Sequence, residues 1–309
     1  MKQSLLYCLL AVILFSSCEK DPFLPYQAKN VVVIVVDGPR YSETWGDPQR
    51  TNIPYRSQWL DEGVICENFY NEGGTYTVAG HTAIVTGFYQ TIDNTGAEYP
   101  QRHSVFQHWI KNNGAPNSLV QIIASKDKLE VLSDCIEAEW KGKHRPVTDC
   151  GVNGLGTGYR EDSVTFTNAI NVIQNTHPRI LLICFKGPDA TAHAGDSLGY
   201  INSIKKTDEY IRQLRNELNS IDFYKDKTAI FITNDHGRHD YDYTGHGDSC
   251  NGCRHIEFLA IGPDFKTNYS TPLTYGLTDI APTIGELMGF NLDTDGEIMW
   301  DIFKQQRED

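Results

Sequence analysis

The sequence predicts an α/β fold: an open, mostly parallel sheet with helices on both faces and a small insertion. Two observations carry that expectation. Uninterrupted β-branched runs of strand length recur along the 309 residues, and such runs suit strands buried on both faces of a parallel sheet. Segments with apolar residues at helical spacing lie between them, and alternating β and α argues for a sheet layered by helices. The composition, 40% hydrophobic and 22% charged, supplies a core large enough for one such domain.

The chain begins with something else. In MKQSLLYCLLAVILFSSC, Lys2 precedes an apolar run from Leu5 to Phe15 and then small residues. That order reads as an export signal, too short to span a bilayer as an ordinary helix. FSSC resembles the lipobox of bacterial lipoproteins, which implies cleavage after residue 17 and a lipid on Cys18. Residues 1–17 are therefore read as a signal peptide and 18–30 as a lipid-anchor tether, with Pro22 and Pro25 in it. Residues 31–309 are the folded domain. The expected location is periplasmic or cell-surface, anchored to a bacterial membrane rather than spanning it.

The elements follow in order. Val31–Gly38 (VVVIVVDG) is a buried strand ending in Asp-Gly, and Ser104–Asn113 is an amphipathic helix. Ser118–Ser125 (SLVQIIAS) is a second strand. Residues 126–160 lack a strong period and are expected as an inserted loop or small subdomain; GVNGLGTG within them follows no strand and reads as loop, not as a phosphate cradle. Glu161–Gln174 is helical, and Arg179–Phe185 (RILLICF) is a strand leading into KGPD. Leu198–Leu218 places Ile201, Ile204, Tyr210, Ile211 and Leu214 on one helical face. Thr228–Gly237 (TAIFITNDHG) and His255–Gly262 (HIEFLAIG) are strands, and Thr278–Met288 is a helix stopped by Gly289.

A formal net charge of −13 counts against nucleic acid as a bulk partner. An anionic substrate would need local positive charge from metal ions or placed basic residues. Outside the cytoplasm disulfides persist, and Cys135–Cys150 and Cys250–Cys253 are two candidate pairs among the connectivities the sequence leaves open.

Ligands of open α/β sheets bind beyond the carboxyl ends of the strands. Three strand ends here lead to carboxylates, Asp37, Asp189 and Asp235. PDATAH sets His193 four residues after Asp189, NDHG sets His236 beside Asp235, and YTGHGD places His246 between two glycines. Mixed carboxylate and imidazole donors suit zinc, with manganese and iron as alternatives. GGTYTVAGHTAIVTG, Gly73–Gly87, adds a hydroxyl at the start of a helix-like run.

In their order, VVDG, TYTVAGH, PDATAH, DHG and GHG resemble the alkaline phosphatase superfamily, most of all its nucleotide pyrophosphatase/phosphodiesterase branch. Thr77–His81 resembles the Thr-x-x-x-His nucleophile turn of that branch, and Val85–Tyr89 the Val-Thr-Gly-x-Tyr run behind it. The resemblance spans most of residues 30–290. It implies an alkaline phosphatase-like domain with Thr77 as nucleophile and two divalent metal ions, zinc foremost. Asp189, His193 and His246 would form one site; Asp37, Asp235 and His236, joined by Thr77, would form the other. The implied reaction is hydrolysis of a small-molecule phosphodiester or nucleotide pyrophosphate through a phospho-threonine. Asn94, Lys186 and Arg238 are the candidate substrate-binding residues.

Other histidines have plainer readings. His81 is read as structural, and His239 and Asp240 as supporting or surface residues. His255 with Cys250 and Cys253 makes an incomplete metal set. The sulfatase nucleophile motif Cys/Ser-x-Pro-x-Arg does not occur. A phosphomonoesterase on the same site is the enzymatic alternative, and a non-catalytic binding lipoprotein the alternative of another class.

Overall fold

The computed structural model describes residues 26–304. The signal, Cys18 and most of the tether lie outside the described residues. The described strands are β1 (Asn30–Val36), β2 (Gly63–Tyr70), β3 (Val120–Ala124), β4 (Val147–Cys150), β5 (Ile180–Phe185), β6 (Thr228–Thr233), β7 (His255–Ile261), β8 (Tyr269–Ser270) and β9 (Tyr275–Gly276). The helices are α1 (Pro54–Gln58), α2 (Thr77–Thr86), α3 (Val105–Asn113), α4 (Asp162–Asn175), α5 (Gly187–His193), α6 (Ser197–Ser220), α7 (Asn251–Arg254) and α8 (Ile280–Met288). No helix among the described residues is long and apolar enough to cross a membrane.

One sheet runs in the order β4-β3-β5-β1-β6-β7-β2-β8, with β9 also pairing β2. β1 is its centre, parallel to β5 on one side and β6 on the other. Alternation along β1 divides the core into two layers. Val31, Val33 and Val35 pack with α2, α3 and α8 on one face. Val32, Ile34 and Val36 pack with α4 and α6 on the other. Full burial of each such side chain is worth about 1.5–3 kcal/mol, so the central strand is held from both sides.

Each strand and helix expected from the sequence is present. β7, however, runs antiparallel to both β6 and β2. A parallel return would need a crossover helix; the antiparallel one leaves residues 234–254 free to fold over the sheet edge. β2 did not stand out in the sequence because its pairing shifts register between Cys66 and Phe69, where Glu67 and Asn68 break the apolar pattern.

The segment expected as an insertion continues the sheet. Val147–Cys150 pairs parallel with β3, and Asp127–Ser133 forms a largely buried 3-10 turn. Three-residue periodicity is why this stretch lacked a helical signature. Neither candidate disulfide is formed: Cys135, Cys150, Cys250 and Cys253 are all free. Cys135 and Cys150 are buried as thiols, a common place for free cysteine.

Candidate active site

The carboxyl edge of the central strands gathers the acidic groups. Asp37 follows β1, Asp189 lies in α5 after β5, and Asp235 follows β6. All three are buried. Asp37 N–H donates to Phe185 O (2.9 Å) and Asp189 N–H to Asp37 O (3.1 Å), so β1 and the start of α5 are tied together.

Thr77 is the first residue of α2, with extended Tyr76 as its N-cap. Every residue of this helix is buried. Gly80 allows the approach, since a Cβ there would lie 2.5 Å from the Asp235 carbonyl oxygen. The helix start and the end of β6 are therefore in direct contact.

Two donor groups surround this point. In the first, His193 Nε2 is 3.2 Å from Asp189 Oδ1 and 3.0 Å from His246 Nε2, and His246 Nε2 is 3.5 Å from Asp189 Oδ1. In the second, His236 Nε2 is 3.5 Å from Asp37 Oδ1 and 3.6 Å from Asp235 Oδ2. Those three atoms are buried without a hydrogen-bond partner. His236 Nδ1 lies 2.8 Å from Gly237 O and His246 Nδ1 2.8 Å from Thr75 O. Nδ1–H donation to a carbonyl leaves Nε2 as the free lone pair, the orientation of metal-binding imidazoles. Burial lowers His236 to about 3 and His246 to about 4, so both rings are neutral at neutral pH.

Buried cations hold the carboxylates in place. Three buried carboxylates face two buried cations, Lys126 and Arg238, and a third buried cation, Lys128, lies close enough to act on them. Lys126 Nζ sits 2.7 Å from Asp37 Oδ2 and 2.6 Å from Asp189 Oδ2, and donates to Thr77 Oγ1 at 3.0 Å. Burial disfavours its charge, but Asp37, Asp189 and Asp235 overcome that and raise its pKa. Burial also works against charge on Asp189, yet Lys126, His193, His236 and Arg238 hold its carboxyl well below the usual range. Asp37 is pushed up by burial, against the pull of Lys126. The three partnerless donor atoms remain, and a cation would satisfy them. The donor set thus fits two divalent ions.

All seven residues expected as ligands meet here, Thr77 among them. Asn94 is also present: Val78 N–H and Lys128 Nζ both donate to its Oδ1, at 3.0 Å each. Arg238 is present in a different capacity. Its Nη1 donates to Asp189 Oδ1 at 2.7 Å, Nη2 to Thr244 O at 2.8 Å and Nε to Tyr243 O. It braces a ligand and the loop behind it, rather than facing outward. Lys186 is not at the cluster; its ammonium faces Glu161 at 3.5 Å. The basic side chain that is there, Lys126, was missed because it opens the supposed insertion. The strand-end rule that selects Asp37 also selects Lys126, two residues after β3. His81 lies in the helix with Nδ1 2.8 Å from Thr77 O.

The sheet and this edge make the fold alkaline phosphatase-like. A family model described as Sulfatase matches residues 29–290, and the chain belongs to that family, within the alkaline phosphatase superfamily of hydrolases acting on sulfate and phosphate esters. Ions of the kind the cluster fits are used throughout that superfamily. The chain is 27% identical over 127 residues to a 2,3-bisphosphoglycerate-independent phosphoglycerate mutase of Gracilaria tenuistipitata var. liui, covering 40% of this chain and 24% of that protein. It is 26% identical over 198 residues to the bis(5'-adenosyl)-triphosphatase ENPP4 of Homo sapiens, covering 60% and 43%. It therefore spans less than half the length of these curated relatives. In structure it is similar to murine ectonucleotide pyrophosphatase/phosphodiesterase 5 in an inactive form with AMP, with a TM-score of 0.62 at 14% identity, covering 87% of this chain and 97% of that one.

Proposed function

We propose that this chain is a hydrolase of phosphoric esters, acting on phosphodiesters or nucleotide pyrophosphates through a phospho-threonine at Thr77. One observation carries the reading: a helix-initial hydroxyl held 3.0 Å from a buried ammonium that also contacts Asp37 and Asp189, one carboxylate from each of two sets of metal-type donors. Asp37, Asp235 and His236, with Thr77, would hold one divalent ion, zinc foremost; Asp189, His193 and His246 would hold the other. Bound there, two such ions would supply Lewis-acid stabilisation of charge on the phosphoryl oxygens.

The chain's own residues do the rest. Lys126 is protonated, so it donates to Thr77 Oγ1 and favours the alkoxide without acting as a base. Attack forms the Oγ1–phosphorus bond as the leaving-group oxygen–phosphorus bond breaks; the threonine proton passes to water. Water then cleaves the phospho-threonine and restores the hydroxyl. Asn94, with Oδ1 engaged by Val78 and Lys128, keeps its amide N–H groups for a nonbridging oxygen. The bis(5'-adenosyl)-triphosphatase relative and the Thr77–His81 and Val85–Tyr89 motifs support the diester class. The absent Cys/Ser-x-Pro-x-Arg motif argues against sulfate esters.

A monoesterase is the second reading, and the paired Lys126 and Lys128 favour it, because a monoester dianion draws more from two cations than a diester does. The lipobox-like FSSC after an apolar run supports placing the enzyme outside the cytoplasm on a lipid anchor. Hydrolysis of aryl phosphate mono- and diesters by the zinc-loaded chain separates the readings. We expect diester preference, and its loss in Thr77→Ala with partial retention in Thr77→Ser. An active Thr77→Ala chain would remove Thr77 from the reaction.

A further inference from the structure

The loop between β6 and β7 holds a second donor cluster that shares no residue with the site above. It is made of His239, Asp248, Cys250 and Cys253, whose ligand atoms all lie within 4.8 Å of one another. His239 Nδ1 is 3.1 Å from Asp248 Oδ2, 3.3 Å from Cys253 Sγ and 3.8 Å from Cys250 Sγ. Zinc bonded at about 2.3 Å to sulfur and about 2.0–2.2 Å to nitrogen and oxygen, in a tetrahedron, sets its donors roughly 3.3–3.8 Å apart. The observed separations fall close to those edges. From these four side chains we propose a structural zinc site of two thiolates, one imidazole and one carboxylate, distinct from the two-ion centre.

The chemistry selects the ion. Paired sulfur donors beside an imidazole favour zinc over magnesium, calcium or manganese. The surroundings are already arranged for it. Cys250 N–H donates to Asp248 Oδ1 at 3.0 Å, which leaves Oδ2 for the cluster. Cys253 is buried and Cys250 half-buried, so the sulfurs are enclosed on one side. His239 N–H donates to Gly245 O (3.0 Å), and Gly237 N–H to Cys253 O (2.8 Å), closing the loop at its stem. That stem is tight: a Cβ on Gly237 would lie 2.0 Å from Gly252 O.

The position suggests what the ion would do. The same loop carries His246, and its Asp248 carbonyl accepts from Thr75 Oγ1 at 2.9 Å. His246 Nδ1 meets Thr75 O, two residues before Thr77. An ion joining residue 239 to residues 248–253 would fix the loop that presents His246 to the two-ion centre. Binding would release the two thiol protons, so occupancy would rise with pH.

Cobalt substitution of the full chain tests this without reference to activity. The two-ion centre offers no sulfur, so a sulfur-to-cobalt charge-transfer band would report the new site. We expect that band in the wild-type chain, its loss in both Cys253→Ser and the half-buried Cys250→Ser, and one fewer bound zinc per chain in each variant. Asp248→Asn, which removes no sulfur, should keep the band but weaken retention against a chelator. A cobalt spectrum without the band would overturn the proposal. So would Cys250 and Cys253 found joined as a disulfide in the chain as purified, or an unchanged zinc count in both serine variants. A missing band alongside diester hydrolysis would reject this site while leaving the proposed function standing.

Discussion

At the residue scale, the acidic half of the site was legible and the basic half was not. Asp37, Asp189 and Asp235 stand at strand ends, where the backbone geometry of an open sheet sends side chains to one edge. Lys126 obeys the same rule after β3, yet it lies in KDK, a triplet that reads as solvated surface. Only the tertiary structure shows its ammonium 2.6–2.7 Å from two buried carboxylates and 3.0 Å from Thr77. Lys186 was legible as a candidate for the opposite reason, its place beside PDATAH, but α5 turns it toward Glu161. A donor aimed at the reacting oxygen is worth about 10²–10³ in kcat. Lys126→Met should therefore lower kcat by about that factor, with Lys126→Arg between the two. Steady-state kinetics with a parallel metal assay checks it. Unchanged kcat would mean that Lys126 only balances charge.

At the element scale, helix starts and stops were readable, whereas close approach between elements was not. Gly289 ends α8 in the left-handed region, φ 81°, and Ser104 caps α3 through the amide of Gln107. The pressing of α2 against the end of β6 has no sequence period, because α2 is buried all round. Gly80 marks it. Gly80→Ala would place a methyl 2.5 Å from Asp235 O, a backbone group that cannot rotate away. Overpacking of this kind costs about 1–3 kcal/mol, and the shift should also displace Asp235. Stability in urea and bound metal should both decrease; a normal result in either measurement would contradict the close packing.

Helix α3 carries a pH-dependent contribution. His108 stacks on Phe290 (4.9 Å) and faces His103 Nε2 across 3.3 Å. Burial first, then the charges of His103 and Lys111, lower it from 6.5 to about 4. A folded value below the unfolded one means the neutral ring is preferred in the fold. This stabilisation is complete above about pH 6.5 and is lost as pH falls from there toward 4. The ring is only half-buried, so solvent screening reduces the effect to about 1 kcal/mol. His108→Gln should lose less stability than wild type between neutral pH and pH 5. Equal losses in urea titrations would assign the acid limb to other groups.

At the scale of the whole molecule, the order of strands and helices could be read locally, but strand direction could not. β7 has the same β-branched, apolar character as its parallel neighbours and yet runs the other way. What decides its direction is the loop before it, which covers the sheet edge instead of forming a crossover helix. That edge then gathers three carboxylates inside an already acidic chain, formally −13. Even with Lys126, Lys128 and Arg238 beside the three buried carboxylates, the metal-free fold keeps partnerless donors at Asp37, Asp235 and His236. Ions that bind the folded chain and not the unfolded one stabilise it by about 4 kcal/mol at a thousandfold excess over Kd. For a domain of this size that is a shift in Tm on the order of 10 °C. Chelation should lower Tm by about that amount, and zinc should restore it. Asp37→Asn should show a smaller response to both, because it removes one ligand and one negative charge together. A Tm indifferent to chelator in the wild-type chain would mean that the converging donors at this edge do not hold metal.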